Sequence, residues 1–459
     1  MYLLMAVVFV IGYLCIALEH PLKIDKAASA ILTAVLTWTI LVLGADHILP
    51  LIPQDGHAAH SGSDLVIEAL RHHLGEISEI LFFLLGAMTI VELVDSHEGF
   101  KAITDRIQTR KRVHLLWIIG FLTFFLSAAL DNLTTTIVMV SLLRKLVRGR
   151  PERWLYVGVV VIAANAGGAW SPIGDVTTTM LWIGSQISAT GVITALFLPS
   201  LVCLLVPLTV LSFRLNGDAP RPRPRAHLAE ERSPTTAFER NLVLALGIGA
   251  LMFVPVFKTV THLPPYMGIL FGLGVLWLAT EIIHRGKNDE DKHPLSVVGV
   301  LRKVDTPSVL FFLGILLAVS ALATAGHLTQ VASGLEWAFG NIYAINYAIG
   351  LLSAVVDNVP LVAGAMKMYP LVSPTMLEGA AAEQTGWLSQ FIVDGTFWEM
   401  LAYCAGTGGS TLIIGSAAGV AAMGMEKISF IWYIKRVSLL AFLGYSAGAA
   451  TYLGMLALS

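Results

Sequence analysis

Ten stretches of this chain are long and apolar enough to cross a membrane as helices: 2–18, 27–43, 79–94, 154–185, 192–213, 240–257, 266–284, 307–325, 397–425 and 437–458. A crossing helix needs about 20 mostly apolar residues. Two further apolar stretches, 113–143 and 343–370, carry an Asp-Asn pair near their middle. In hydrocarbon, every backbone N–H and C=O must be satisfied within the segment or by neighbouring protein, so segments of this length become helices. Composition points the same way. Of 459 residues, 13% are charged and 56% are hydrophobic, and mean hydropathy is +0.75. A soluble domain carries about 25% charge. A large soluble globule is thereby excluded, and the expected class is an all-α polytopic membrane protein. A net charge of −2 offers nothing to nucleic acid. Cys15, Cys203 and Cys404 stand far apart in apolar surroundings, which suits buried small hydrophobes and not a disulfide framework or a metal site. The first stretch lacks a basic leader and a small-residue cleavage site and is expected to be retained.

Lys and Arg set the orientation. With residue 1 outside, the inner segments 19–26, 95–112, 144–153, 214–240, 285–303 and 426–436 hold 26 of the 29 basic residues, leaving Arg71, Lys258 and Lys367 outside. Both termini are therefore expected outside. This count requires 113–143 to return to the face it left, since Arg106, Arg110, Lys111 and Arg112 precede it and Arg144, Lys145 and Arg148 follow it. A straight helix of that length would be ~46 Å long, more than the hydrocarbon core. A re-entrant hairpin with its tip at Asp131-Asn132 resolves both points. The stretch 343–370 has the same form, with its tip at Asp357-Asn358, and is expected to enter from outside.

The halves resemble each other. SAALDNLTTTIVM at 127–139 matches SAVVDNVPLVAGA at 353–365, ILFFLLG at 80–86 matches VLFFLGI at 309–315, and AGGAWSPIGD at 166–175 matches TGGSTLIIGS at 407–416, in collinear order. Each half holds five spans and one hairpin, and an odd number of spans inverts the second copy. The expected organisation is a first inverted repeat at 1–213, a Pro- and Arg-rich cytoplasmic linker at 214–239, and a second inverted repeat at 240–459, with one broken helix per repeat. Paired inverted repeats with broken helices mark secondary transporters. No phosphate-binding loop of the ATPase type is present, so no ATPase partner is implied.

Asp131, Asp175 and Asp357 fall at mid-membrane depth, where an ionisable group costs at least ~2.5 kcal/mol and marks an ion or proton path. Each precedes a helical run, so capping is the competing role. Gly167, Gly168, Pro172 and Gly174 break the stretch 154–185, and Asn165, Ser171, Asp175, Thr177 and Thr178 line that break with oxygen. Hard cations such as Na⁺ and Li⁺ prefer oxygen ligands. Asp131, Asn132, Thr134 and Thr135 at the first tip complete the first candidate site. Its counterpart uses Ser353, Asp357, Asn358, Thr407, Ser410, Thr411 and Ser416, around a second break at 406–411 that has no carboxylate. The expected ligands for Na⁺ or Li⁺ are Asp131, Asn132, Asp175, Asp357 and Asn358. His47, His57, His60, His72 and His73 cluster in what reads as an outer loop, 44–78, with Glu76 and Glu79 at the mouth of a span.

The Asp-Asn tips and Gly-Gly breaks resemble the ion transporter superfamily of divalent-anion/sodium symporters and arsenite permeases. The carboxylate symporters of that superfamily have Ser-Asn-Thr at the tip. Here LDNLTTT and VDNVPLV place Asp in that position, and with NAGGAWSPIGDVTTTM at 165–180 they resemble the NhaD-type sodium/proton antiporters over nearly the whole chain. The resemblance implies exchange of Na⁺ or Li⁺ for H⁺, no cofactor, no enzymatic activity, a homodimer in the lipid of a bacterial inner membrane, and elevator-like alternating access. Carboxylates at the tips would repel an anionic substrate and suit competition between Na⁺ and H⁺. A sodium-coupled anion permease on the same fold is the alternative.

Overall fold

The computed structural model describes residues 1–49, 62–101, 107, 109–218, 235–379 and 381–458. His57, His60 and most of the linker, 219–234, lie outside the described residues. Among the described residues there is no β-strand, and seventeen helices have eight or more residues. In chain order they are α1 (Tyr2–Ala17), α2 (Lys26–Leu43), α3 (Gly62–Ser96), α4 (Arg112–Ala129), α5 (Asn132–Leu146), α6 (Arg150–Ala169), α7 (Val176–Ile183), α8 (Ala189–Ser212), α9 (Ala237–Thr261), α10 (Pro265–Ile283), α11 (Thr306–Thr324), α12 (His327–Phe339), α13 (Ile342–Ser353), α14 (Asn358–Met368), α15 (Thr396–Gly408), α16 (Ala417–Glu426) and α17 (Leu439–Leu458). Eight helical segments among the described residues meet the length and apolarity of a crossing helix.

Several boundaries differ from the sequence reading. Helix α3 has 35 residues and starts at Gly62, not at 79. His72 and His73 therefore stand on a helix and not in a loop. The run Asp64–Glu79 is too polar to register as a span, yet its helix formers continue the helix beyond the apolar stretch. Helix α12, which is amphipathic, went unread for the same reason. Residues 430–433 are helical and pass through a π-helical turn, Ile434–Ser438, into α17, where the sequence suggested an inner loop. The hairpin arm α4 has 18 residues, longer than a half-membrane arm requires.

The chain forms two compact units, and each draws on both halves of the sequence. Unit 1 comprises Met1–Phe82, Asp305–Ile345 and Val359–Ile392. Its centre is the pair α2 and α11. Gly314 lies against the backbone of Ala30 and Ile31, where a side chain would not fit. Such small residues let membrane helices approach closely, which is their main source of cohesion when lipid is as apolar as the core. Trp38 Nε1 donates to the Leu317 carbonyl at 2.9 Å, and Lys26 lies over the Phe311 ring at 4.4 Å.

Unit 2 comprises Phe83–Val304, Asn346–Asn358 and Val393–Ser459. Helix α6 is nearly sheathed: every residue from Tyr156 to Ala169 is buried. Helices α4 and α5 pack on it, and α8 packs along α17 with Gly444 and Gly448 against the carbonyls of Cys203 and Pro199. Glu426 closes one end of this unit. Its carboxylate accepts from Arg144 on α5 and Arg153 on α6, both at 2.7 Å. All sixteen predicted site residues belong to unit 2.

Candidate functional site: two helix breaks joined by Asn165

The first tip is built by capping. Asp131 precedes α5, and its Oδ1 accepts from the Thr134 N–H while its Oδ2 accepts from Thr134 Oγ1, both at 2.7 Å. Thr134 is thus occupied in holding Asp131. Asn132 Nδ2 donates to Asn165 Oδ1 at 3.0 Å. Thr135 is fully buried, and its Oγ1 has no partner.

The first break is shorter than the sequence suggested, because α6 continues helically through Gly167 and Gly168 to Ala169. Gly167 faces the Phe124 carbonyl, Gly168 the Gly174 carbonyl and Gly174 the Ser127 carbonyl, all closer than a Cβ allows. These glycines are there for close backbone approach. Ser171 Oγ donates to the Ala128 carbonyl at 2.6 Å, which pins the break to the hairpin. Asp175 caps α7, and its Oδ2 accepts from Thr177 Oγ1 at 2.9 Å. Thr178 Oγ1 reaches only the Ala169 carbonyl, at 3.5 Å.

The second break is built alike. Helix α15 runs to Gly408, so the break lies at 409–416, later than expected. Ser353 Oγ donates to the Ala405 carbonyl at 3.1 Å, and Asn358 Nδ2 reaches the same oxygen at 3.5 Å. Thr407 Oγ1 is spent on the Tyr403 carbonyl one turn back, at 2.6 Å. Thr411 Oγ1 is buried and has no partner. Ser416 caps α16 in the place that Asp175 holds before α7.

The two breaks meet. Asn165 Nδ2 donates to Ser410 Oγ and Ser416 Oγ, both at 2.9 Å. Gly406 faces Asp175 Oδ2. Both Asp131 and Asp357 lie within electrostatic reach of Asp175. The structure therefore brings Asn132, Asn165, Asp175, Ser410 and Ser416 together at one locus, where the sequence suggested two separate sites. It does not bring Thr134, Ser171 or Thr407 to a free position, since their hydroxyls are spent on the local fold. Thr136 was missed. It is fully buried, one turn after Asn132, and its Oγ1 has no partner. Elsewhere in these helices Thr33, Thr37 and Thr123 donate to the carbonyl four residues back.

The donor set fits a hard monovalent cation. Among the described residues no Lys, Arg or His neutralises Asp131 or Asp175. A carboxylate taken out of water without a counter-charge is costly and calls for a cation or a proton. Carboxylate, amide and hydroxyl oxygens meet at the locus beside the amide nitrogens of Asn132 and Asn165, and no three His, Cys, Asp or Glu side chains converge as a metal centre among the described residues.

Comparison with known proteins follows the same line. Residues 6–390 match the family model described as CitMHS, citrate transporter. The chain is 51% identical over 451 residues to "Sodium/proton antiporter 1" of Arabidopsis thaliana, covering 98% of this chain and 72% of the relative. It is 32% identical to the "Na(+)/H(+) antiporter NhaD" of Vibrio cholerae, covering 97% and 90%. Among solved structures it is similar to the YdaH transporter of Alcanivorax borkumensis, with a TM-score of 0.54 at 13% identity, over 94% of this chain and 98% of that one, a likeness of fold. By its matched length and by its relatives, which are named as transporters and not as enzymes, this multi-pass membrane chain belongs to the NhaD-type sodium/proton antiporters of the CitMHS family.

Proposed function

We propose that the protein exchanges Na⁺, or Li⁺, for H⁺ across the membrane by alternating access, with Asp131 and Asp175 as the groups on which cation and proton compete. The observation that carries this reading is a buried carboxylate, Asp175, and a part-buried one, Asp131, both without a cationic partner among the described residues, set at a helix break and a hairpin tip that Asn165 ties to the opposite break. A cation at this locus would take oxygen from Asp175, from Asp131 and from the unpartnered hydroxyls of Thr135 or Thr411. A proton on the same carboxylate removes the charge that holds it. The anion permease, though consistent with the name of the family model, is the weaker reading, since among the described residues no Lys, Arg or His faces these carboxylates.

Two inverted repeats, 1–213 and 240–459, around a cytoplasmic linker belong to the same proposal. Contacts that recur at matching positions support it. Ser127 donates to Ala164 as Ser353 does to Ala405. Gly167 meets Phe124 as Gly408 meets Gly350, and Gly174 meets Ser127 as Gly415 meets Ser353. An elevator-like movement, a homodimer, and a bacterial inner-membrane location with both termini outside complete the proposal. The Lys and Arg distribution supports the orientation.

Everted vesicles with a pH-sensitive dye test the activity. Addition of Na⁺ alone should release protons from acidified vesicles. Proton movement that requires citrate or another organic anion would favour the permease.

A further inference from the structure

Both breaks carry glycines at equivalent places, and three pairs have a backbone reason. Gly167 and Gly408 each face a hairpin carbonyl, Gly168 and Gly409 face the carbonyls of Gly174 and Gly415, and those two face Ser127 and Ser353. Gly406 has no such reason. It stands inside α15 where the first repeat has Asn165, and a Cβ there would meet no backbone atom closer than the 3.5 Å of ordinary contact. It would lie 3.1 Å from Asp175 Oδ2 and 3.1 Å from Ala169 Cβ. A glycine inside a helix costs ~1 kcal/mol relative to alanine. What the glycine leaves is space beside one oxygen of a buried carboxylate.

We propose that Gly406, with Ala169 opposite, sets the size of the cation that Asp175 accepts. The inference rests on the reading of Asp175 as a cation-binding group. On its other side Asp175 Oδ2 already takes the Thr177 hydroxyl, so the space toward Gly406 and Ala169 is where a cation can approach that oxygen. A methyl group on residue 406 forces the carboxylate to shift by a few tenths of an ångström or narrows that space. The larger Na⁺ loses more contact than the smaller Li⁺. Removing the methyl group of Ala169 widens the same space and acts in the opposite sense.

The test uses the full-length protein, purified in detergent and in everted vesicles, and compares wild type, Gly406→Ala, Ala169→Gly and Asp175→Asn. Cation binding is read as the rise in unfolding temperature with added NaCl or LiCl at constant ionic strength, and transport as half-saturation for each cation. Gly406→Ala should raise the Na⁺ half-saturation relative to Li⁺ by roughly fivefold or more. Ala169→Gly should shift the ratio the other way. If both variants leave the Na⁺/Li⁺ ratio as in wild type while Asp175→Asn abolishes the response to both cations, Asp175 stays in the site and the size-setting role of Gly406 is overturned. If Asp175→Asn leaves both responses intact, the reading of Asp175 fails, and this inference fails with it. Should Gly406→Ala not fold, Ala169→Gly alone decides, by moving the ratio or leaving it.

Discussion

The side chain of Asn165 accepts from Asn132 through Oδ1 and donates through Nδ2 to both Ser410 and Ser416, so one amide joins the first hairpin tip to the second helix break. All four residues are buried. Asn165→Ala would orphan the Asn132 amide and the Ser410 hydroxyl, while Ser416 would keep only the Gly419 N–H that it caps. An unsatisfied buried polar group costs ~1–3 kcal/mol. The loss falls on the relative placement of tip and break. The Na⁺ half-saturation should rise roughly tenfold or more. Transport kinetics in vesicles with matched protein levels measures this, and a wild-type half-saturation would mean that the bridge is mere packing.

Asp131→Asn separates charge from capping. Asn caps a helix about as well as Asp, so the cap on the Thr134 N–H and the fold should persist. Without a group that ionises, Na⁺-driven proton movement should disappear, while the variant remains in the membrane and elutes as wild type by size exclusion. Retained exchange would reduce Asp131 to a cap. Asp357→Asn is expected to act in the same direction.

Glu426 offers a test of rigidity. Its side chain is 1% exposed and neutralises part of the charge of Arg144 and Arg153, which come from two other helices. Arg144 is 46% exposed and can turn to water, whereas Arg153 is 12% exposed, so the charge left unpaired falls on Arg153 at a cost of up to ~3 kcal/mol. Glu426→Gln should lower the unfolding temperature by roughly 2–3 °C. An unchanged temperature would show that the two guanidinium groups find water or lipid phosphate instead.

How much of this could be read from the residues depends on the physics involved. The two tips were legible because a carboxylate in an apolar run is costly enough to stand out, and the breaks because Gly and Pro interrupt a helix locally. The start of α3 was not legible: hydropathy marks where the bilayer is and not where a helix ends, and RHHLGE is polar but helical. The role of Gly167 and Gly168 was misjudged, because glycine also serves close packing inside an intact helix. The merging of two expected sites into one through Asn165 is a contact across more than two hundred residues, which no local pattern encodes. Thr136 was within reach, since it continues the run Thr134-Thr135 one turn after Asn132.

The orientation can be tested with cysteines at 225 and 385 in a background free of Cys15, Cys203 and Cys404. A membrane-impermeant thiol reagent added outside should label 385 and spare 225, and the reverse should hold in everted vesicles. Labelling of both from one face would overturn the inverted-repeat proposal, whatever the activity of the protein.

The last prediction concerns a pair of histidines away from the site. His97 directly follows α3 and His284 directly follows α10, and their Nε2 atoms are 2.8 Å apart with both residues buried. His97 Nδ1 lies 2.7 Å from the Leu93 carbonyl and must donate to it. Its Nε2 is therefore the acceptor, His284 Nε2 holds the shared proton, and the pair is neutral. Burial is the main influence holding both imidazoles below their ordinary value, and Lys287 adds to it. Lys303 acts in the same sense on His97, while Glu239 and, for His284, Glu281 oppose. His284 is brought from 6.5 down to about 4. The sign follows by linkage: a base whose folded value lies below its unfolded value is needed neutral, so its contribution is complete above pH 6.5 and is lost as pH falls toward about 4. A glutamine at 284 can still donate to His97 but takes up no proton. The unfolding temperature of the wild type should therefore fall more steeply between about pH 7 and pH 4.5 than that of His284→Gln, with the curves converging toward acid. Parallel curves over that range would mean that the pair takes up no proton on unfolding and that other groups set the acid stability of the protein.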